Sequence, residues 1–157
     1  MSPKVGAVLV LALALSSCTS VRLYNPQPDK MYEGDLPLSD TAVFSAHDEL
    51  SAVCLAATVQ MVDSNKTSRW TFPMWVRVAP GNHSFVVQCT TEASRGFNEV
   101  SRKYANLEIE VPDIKPRHVY VAHYEEVAGK IRITTEDLGE NSYYSVQIGE
   151  KLVTPEF

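Results

Sequence analysis

The 157-residue chain has no apolar run long enough to span a membrane and almost no sign of a helix. Its longest apolar run, Val5–Leu15, has eleven residues, whereas a helix that crosses about 30 Å of hydrocarbon needs roughly 20. Apart from a turn or two that we expect around Asn98–Ala105, no segment repeats apolar residues at helical spacing. These absences argue against a membrane-spanning helix and predict an all-β fold.

The sequence also lacks the common motifs of catalysis and metal binding. It has no Gly-x-Ser-x-Gly elbow, no Gly-rich phosphate loop, no His-x-His pair and no cluster of cysteine and histidine. His118 and His123 lie five positions apart on one predicted strand, so their side chains point to opposite faces and cannot share an ion. We therefore predict no catalytic residue, no metal and no cofactor. Carboxylates can still meet in space without a trace in the sequence, and a deep pocket lined by His83 or His123 would favour a periplasmic hydrolase or metal-dependent enzyme instead.

Positive charge is in short supply. The chain has 14 lysines and arginines against 19 aspartates and glutamates. This balance argues against nucleic acid as a partner and against electrostatic docking on anionic lipid. Any attachment to a membrane must therefore use something other than electrostatic attraction to anionic lipid.

The N-terminal segment has the features of a lipid-attachment signal. Lys4 precedes the apolar run, which ends in Leu15-Ser16-Ser17-Cys18, and this layout matches the lipobox of bacterial lipoproteins. The match implies that residues 1–17 are a cleaved signal peptide and that the Cys18 thiol carries acyl chains. Thr19 stands where inner-membrane retention would favour Asp, so we expect an outer-membrane protein that faces the periplasm. The alternative is an ordinary secretory signal.

Cleavage would leave 140 residues, enough for one domain. Residues 18–40 contain several turn-forming residues and few apolar ones, which is typical of a tether. An arm packed along the sheet, with Tyr24, Met31, Tyr32 and Leu36 as anchors, is the alternative. Residues 41–157 form the predicted domain.

Cys54 and Cys89 are the other two cysteines, and the signal directs them to an oxidising compartment. We predict a structural disulfide between them; buried free thiols and a redox pair remain as alternatives. Cys89 alternates with Phe85 and Val87, whereas Cys54 alternates with more polar residues. A bond between them therefore requires a bulge or a cross-edge geometry.

From residue 41 onward, short runs rich in β-forming residues alternate with turn signals. Seven to eight such strands in one domain, most with one apolar face, predict a two-sheet β-sandwich, with a small barrel as the alternative. The predicted strands are 41–47, 53–62, 70–78, 83–91, 107–111, 117–124, 130–135 and 143–148.

Three segments together resemble small bacterial lipoproteins that carry a sandwich related to carboxypeptidase-regulatory and transthyretin-like domains. They cover a strand and turn at 59–65, a strand, Pro-Gly-x-His turn and strand at 76–87, and two strands at 107–111 and 119–121. The resemblance implies a binding or scaffold sandwich with no catalytic residue.

Two residues are candidates for a binding surface. Trp75 lies opposite the apolar row of its strand, so we expect it to be exposed. His83 follows the Pro80-Gly81 turn, where its imidazole can bond a backbone carbonyl without any ligand.

These observations predict an outer-membrane lipoprotein that is attached through its acyl chains and binds another envelope protein without catalysis. One alternative is the lipoprotein subunit of a secretion-system membrane complex of the type VI kind. The other is the enzyme described above.

Overall fold

The computed structural model describes residues 26–67, 73–96, 100–140 and 143–157. Cys18, the predicted signal peptide 1–17, Tyr24 and the segment 68–72 lie outside the described residues. In the described ranges the only helical segment is a single 3-10 turn, Leu38–Asp40, and the remaining regular structure is β. The predicted all-β class is confirmed.

The described residues contain eleven strands, which form two sheets and a separate hairpin. Sheet one has the order β1-β5-β2-β8-β9, sheet two has the order β4-β3-β6-β7, and β10 pairs with β11. In chain order the strands are β1 Asp29–Lys30, β2 Ala42–Ser45, β3 Ala56–Val62, β4 Asn65–Lys66, β5 Trp75–Val78, β6 Gly81–Arg95, β7 Val100–Ile114, β8 His118–Val127, β9 Lys130–Glu140, β10 Val146–Ile148 and β11 Lys151–Val153.

The two sheets pack face to face around an apolar core. Phe44 of β2 in sheet one stacks on Phe85 of β6 in sheet two, with ring centroids 3.9 Å apart. Valines at alternate positions of both sheets surround this pair, as the period-two pattern of half-buried strands requires. The predicted two-sheet sandwich is therefore confirmed.

Sheet one is covered on its second face as well. The β10-β11 hairpin and the residues around it pack on Val43, Trp75, Val119 and Val121. All four residues of β2 and of β5 are consequently buried. An alternating sequence pattern does not reveal this third layer, because it shows only that a strand has two different faces.

The expected helical turn around Asn98–Ala105 is wrong from residue 100 onward, where β7 is extended. β7 pairs with β6 as far as Arg95 opposite Val100, although β3 stops pairing with β6 at Thr90. Residues 91–95 and 100–104 therefore form a two-stranded ribbon beyond the β3-β6 pairing.

The predicted disulfide is present, with the Cα atoms of Cys54 and Cys89 5.5 Å apart. Cys54 lies two residues before β3 begins, and Ala57 is the residue that pairs with Cys89. The different alternation patterns of the two cysteines therefore do not oppose the bond, because alternation applies only inside a strand and Cys54 lies outside one. Neither a bulge nor a cross-edge geometry at Cys54 is needed.

Part of the predicted tether belongs to the sheet. Asp29 and Lys30 pair in parallel with Val76 and Arg77, and the Met31 N–H donates to the Arg77 carbonyl at 2.8 Å. Met31 also packs against the core, whereas Leu36 is 38% exposed and does not serve as an anchor. Residues 29–31 are thus a docked arm, which brings the N-terminal segment beside β5.

Candidate functional site

Trp75 is not part of an exposed surface, and that prediction is wrong. Its side chain points away from the main core, as expected, but the residue is only 3% exposed because the C-terminal hairpin covers this face. The rings of Trp75 and Tyr144 pack at 6.5 Å between centroids. The Tyr144 hydroxyl lies 2.6 Å from Ser45 Oγ, and burial raises the pKa of Tyr144 to about 12. Trp75 therefore stabilises the third layer.

Arg77 shares that covered face and is also only 3% exposed. Its Nη1 donates to Thr41 Oγ1 at 2.9 Å, and its Nη2 donates to the Glu156 carbonyl at 2.6 Å. The guanidinium carbon lies 5.4 Å from the centre of the Phe157 ring. Burial lowers the pKa of Arg77, although the charges of Tyr32 and Glu156 act in the opposite direction. The chain therefore keeps a buried cation at the junction of its N-terminal arm and its C-terminal segment.

A cleft of about 560 Å³ opens at this junction. The arm supplies most of its wall, and Arg77 and Glu156 complete it. Burial raises the pKa of Asp29, which also lines the cleft. Sequence reasoning missed this site because its parts come from both ends of the domain. The one available signal was a lone Arg among valines in Val76-Arg77-Val78, since a charged residue in an apolar strand needs a partner.

His83 bonds a backbone carbonyl, as the sequence predicted. Its Nε2 lies 2.7 Å from the Ala79 carbonyl oxygen, and its Nδ1 lies 2.5 Å from Asp63 Oδ2. Asp63 Oδ1 also accepts the Ser84 N–H at 2.8 Å. A shallow depression of about 470 Å³ adjoins these residues. Both ring nitrogens are thus used to hold two turns together, and a role for His83 in binding stays a prediction.

His123 and His118 also bind carboxylates. His123 Nε2 lies 2.9 Å from Glu136 Oε2, and Nδ1 lies 3.2 Å from Asp48 Oδ2. His118 Nδ1 lies 2.8 Å from Asp137 Oδ1. The two histidines point to opposite faces of β8, as predicted, and no group of three potential ligands in the described ranges could hold a metal ion.

These contacts shift the titration of two groups. Burial alone would raise the pKa of Asp137, but the Gly139 N–H and His118 outweigh burial and the net pKa is lowered. Burial alone would lower the pKa of His123, but Glu136 and Asp48 outweigh it and the net pKa is raised. The His118–Asp137 contact joins β8 to β9, and the His123 contacts join β8 to β9 and to the loop that contains Asp48.

Residues 91–95 of β6 and 100–104 of β7 form a ribbon that extends past the end of the β3-β6 pairing. β7 is fifteen residues long and has β6 as its one neighbour in sheet two. Lys103 and Glu92 pair across the ribbon at 2.8 Å, and Tyr104 is 54% exposed. Part of β7 lies close to β9 of sheet one, but no ladder joins the two strands, so the outer edge of β7 offers backbone donors and acceptors that sheet two does not use.

Comparisons with protein-family models, with curated proteins and with solved structures found no match, so function is inferred from the geometry alone. Within the ranges that the structure describes, no helix has the length and apolar character needed to cross a membrane.

Proposed function

We propose that the protein is a lipid-anchored β-sandwich of the bacterial outer membrane that binds another envelope protein and catalyses no reaction itself. The Leu15-Ser16-Ser17-Cys18 motif supports the anchor. The open edge of β7 supports the binding role, and it is the observation on which the proposal chiefly rests.

An open edge of this kind binds an extended peptide by strand addition. Main-chain hydrogen bonds supply affinity, and alternate side chains supply selectivity. On β7 the alternate residues Tyr104, Asn106, Glu108 and Glu110 face outward, whereas Leu107 and Ile109 pack toward the core. A partner strand beside β7 would therefore meet a polar outer row and a partly apolar inner row.

β9 is the other long edge, and it is less suited to this role. Its outer half carries Glu136, Asp137 and Glu140, and His123 and His118 already bind the first two. Charged residues on an edge strand disfavour pairing with another chain. Both edges carry charge, but β7 has five charged residues in fifteen positions and β9 has five in eleven. The lower density of charge favours β7.

Anchoring would raise the local concentration of the domain near its partner. Acyl chains on Cys18 stabilise membrane attachment by about 0.8 kcal/mol per buried methylene, so no basic patch is required. Loss of Lys4 with the signal leaves 13 basic against 19 acidic residues. This acidic balance is compatible with an anchor that uses acyl chains rather than basic residues. A tethered module binds its partner at an effective concentration set by the tether rather than by diffusion from bulk.

Site-specific photo-crosslinking in intact cells tests the binding edge. We would place a photoreactive phenylalanine at Tyr104 on the edge, and at Tyr143, which is fully exposed in a different region, as the matched control. The expected result is a discrete protein adduct from position 104 that is absent from position 143. The same adducts from both positions, or adducts with lipid alone, would contradict the binding role.

Fractionation tests the anchor separately. We expect Cys18→Ser to move the protein from the outer-membrane fraction to the soluble periplasmic fraction, and Ser17→Thr to serve as a conservative control that leaves Cys18 in place. A Cys18→Ser variant that still sediments with membranes would contradict lipid anchoring without affecting the crosslinking result.

A further inference from the structure

Among the described residues, the buried guanidinium of Arg77 has fewer hydrogen-bond acceptors than donors. A guanidinium carries five N–H groups, and the described acceptors for those of Arg77 are Thr41 Oγ1 and the Glu156 carbonyl. Both acceptors are neutral, and the Glu156 carboxylate acts on Arg77 through space without forming an ion pair within 4 Å. A buried N–H group without an acceptor is costly, so a ligand oxygen that accepted from these groups would bind favourably.

The cleft of about 560 Å³ gives such an anion a place beside Arg77. Its volume lies in the usual range of small-molecule sites, about 300–1,000 Å³. Met31 and Leu38 supply apolar wall on the arm side. A ligand with a hydrocarbon body could therefore pack there while its charged end lies against the guanidinium.

The other charges around the cleft limit the charge of the ligand. Lys30 is the second cation in the wall, but its Nζ donates to the Gly34 carbonyl and lies 3.8 Å from Asp35. Asp29 and Glu156 add two acidic side chains. These two carboxylates oppose the charge of Arg77 and disfavour each further negative charge on a ligand. A singly charged planar anion, bound through the hydrogen bonds of Arg77, therefore suits the site better than a dianionic phosphate. A carboxylate also matches the forked geometry of Arg.

We propose that this cleft binds a monoanionic organic carboxylate, whose oxygens accept hydrogen bonds from the N–H groups of Arg77 for which the described residues supply no acceptor. The site is distinct from the β7 edge, so a test of one proposal does not decide the other.

The first test compares butyrate with butyramide, its uncharged analogue of nearly the same shape. The full-length protein, labelled with nitrogen-15 and held in a non-ionic detergent, is titrated with each compound and with inorganic phosphate. We expect butyrate to shift the Arg77 Nε–H signal and the amide signals of residues 27–32 in a saturable manner, and butyramide and phosphate to shift them far less. Equal shifts with butyramide or phosphate, or no saturable shift with butyrate, would overturn the proposal.

The second test uses variants. Arg77→Met is expected to abolish butyrate binding, but this change also removes contacts that hold the C-terminal segment and can unfold it. Glu156→Gln avoids that difficulty, because the Arg77 bond uses the Glu156 main-chain carbonyl and the side chain is exposed. Removing the acidic charge from the wall is expected to tighten butyrate binding several-fold. Glu150→Gln, the same change in the β10-β11 turn, is the control; equal effects of the two substitutions would show that butyrate binds elsewhere.

Discussion

The imidazole of His123 reaches Asp48, a residue 75 positions earlier in the chain, with 3.2 Å between His123 Nδ1 and Asp48 Oδ2. The opposite ring nitrogen contacts Glu136 on β9. One side chain therefore connects three segments of sheet one: the loop after β2, strand β8 and strand β9. Since both neighbours are carboxylates, the protonated ring is the form that can donate to both.

The His123 bridge predicts a specific pH dependence of stability. Its folded-state pKa lies above the ordinary value of 6.5, because Glu136 and Asp48 outweigh the effect of burial. The stabilisation is then complete below the unfolded-state value and is lost as pH rises through the folded-state value. From about pH 6 to about pH 9, wild type should lose more free energy of unfolding in urea than His123→Gln does.

His47→Gln is the matched control for this experiment, because His47 has one carboxylate contact, with its Nε2 3.6 Å from Glu49. Its pH profile is expected to follow that of wild type. Parallel profiles for wild type and His123→Gln would show that the bridge does not favour the protonated ring.

Trp75→Ala should destabilise the fold strongly. The change leaves a cavity between sheet one and the C-terminal hairpin, and removal of a buried Trp costs about 3–5 kcal/mol. Tyr143→Ala removes an aromatic ring that is fully exposed, and surface changes of this kind cost about 0.5 kcal/mol or less. Urea denaturation measures both variants. Similar free energies of unfolding would mean that the hairpin does not cover Trp75 in solution.

Loss of the Cys54–Cys89 bond should lower stability by about 4 kcal/mol, because the bond closes a long loop in the unfolded chain. The double variant Cys54→Ala/Cys89→Ala and the reduced wild type should share one urea midpoint, below that of the oxidised protein. Mass spectrometry after maleimide labelling of the denatured, unreduced protein provides the direct check. Label on Cys54 or Cys89 would contradict the bond.

Ser64→Gly should stabilise the protein. The β3-β4 hairpin turns at Asp63 and Ser64, whose φ angles are 48° and 67°, and Val62 pairs with Asn65 across the turn. Two-residue turns of this kind favour Gly, because a side chain in the left-handed region costs about 1 kcal/mol or more. We expect a gain of about 0.5 kcal/mol in the free energy of unfolding. Ser84→Gly in strand β6 is the control and should destabilise; a loss at both positions would contradict the turn geometry.

Local patterns in the sequence were sufficient to predict the all-β class, the sandwich, most strands and the His83 bond to a backbone carbonyl. Each depends on neighbours within a few residues or on period-two alternation, which a single strand records. The disulfide was predictable because the expected oxidising compartment favours a bond and the number of cysteines leaves few pairings. The anchor at Cys18 remains a prediction from the sequence alone.

The tertiary structure decided which faces and edges are free. The C-terminal hairpin covers Trp75, and Glu156 and Phe157 after the hairpin contact Arg77. The cleft beside Arg77 combines the N-terminal arm with Glu156. Residues 91–95 and 100–104 form a strand pair that continues past the end of the β3-β6 pairing, and the sequence of this segment does not predict it. Alternation along a strand distinguishes its two faces, but only packing between distant segments determines what covers each face.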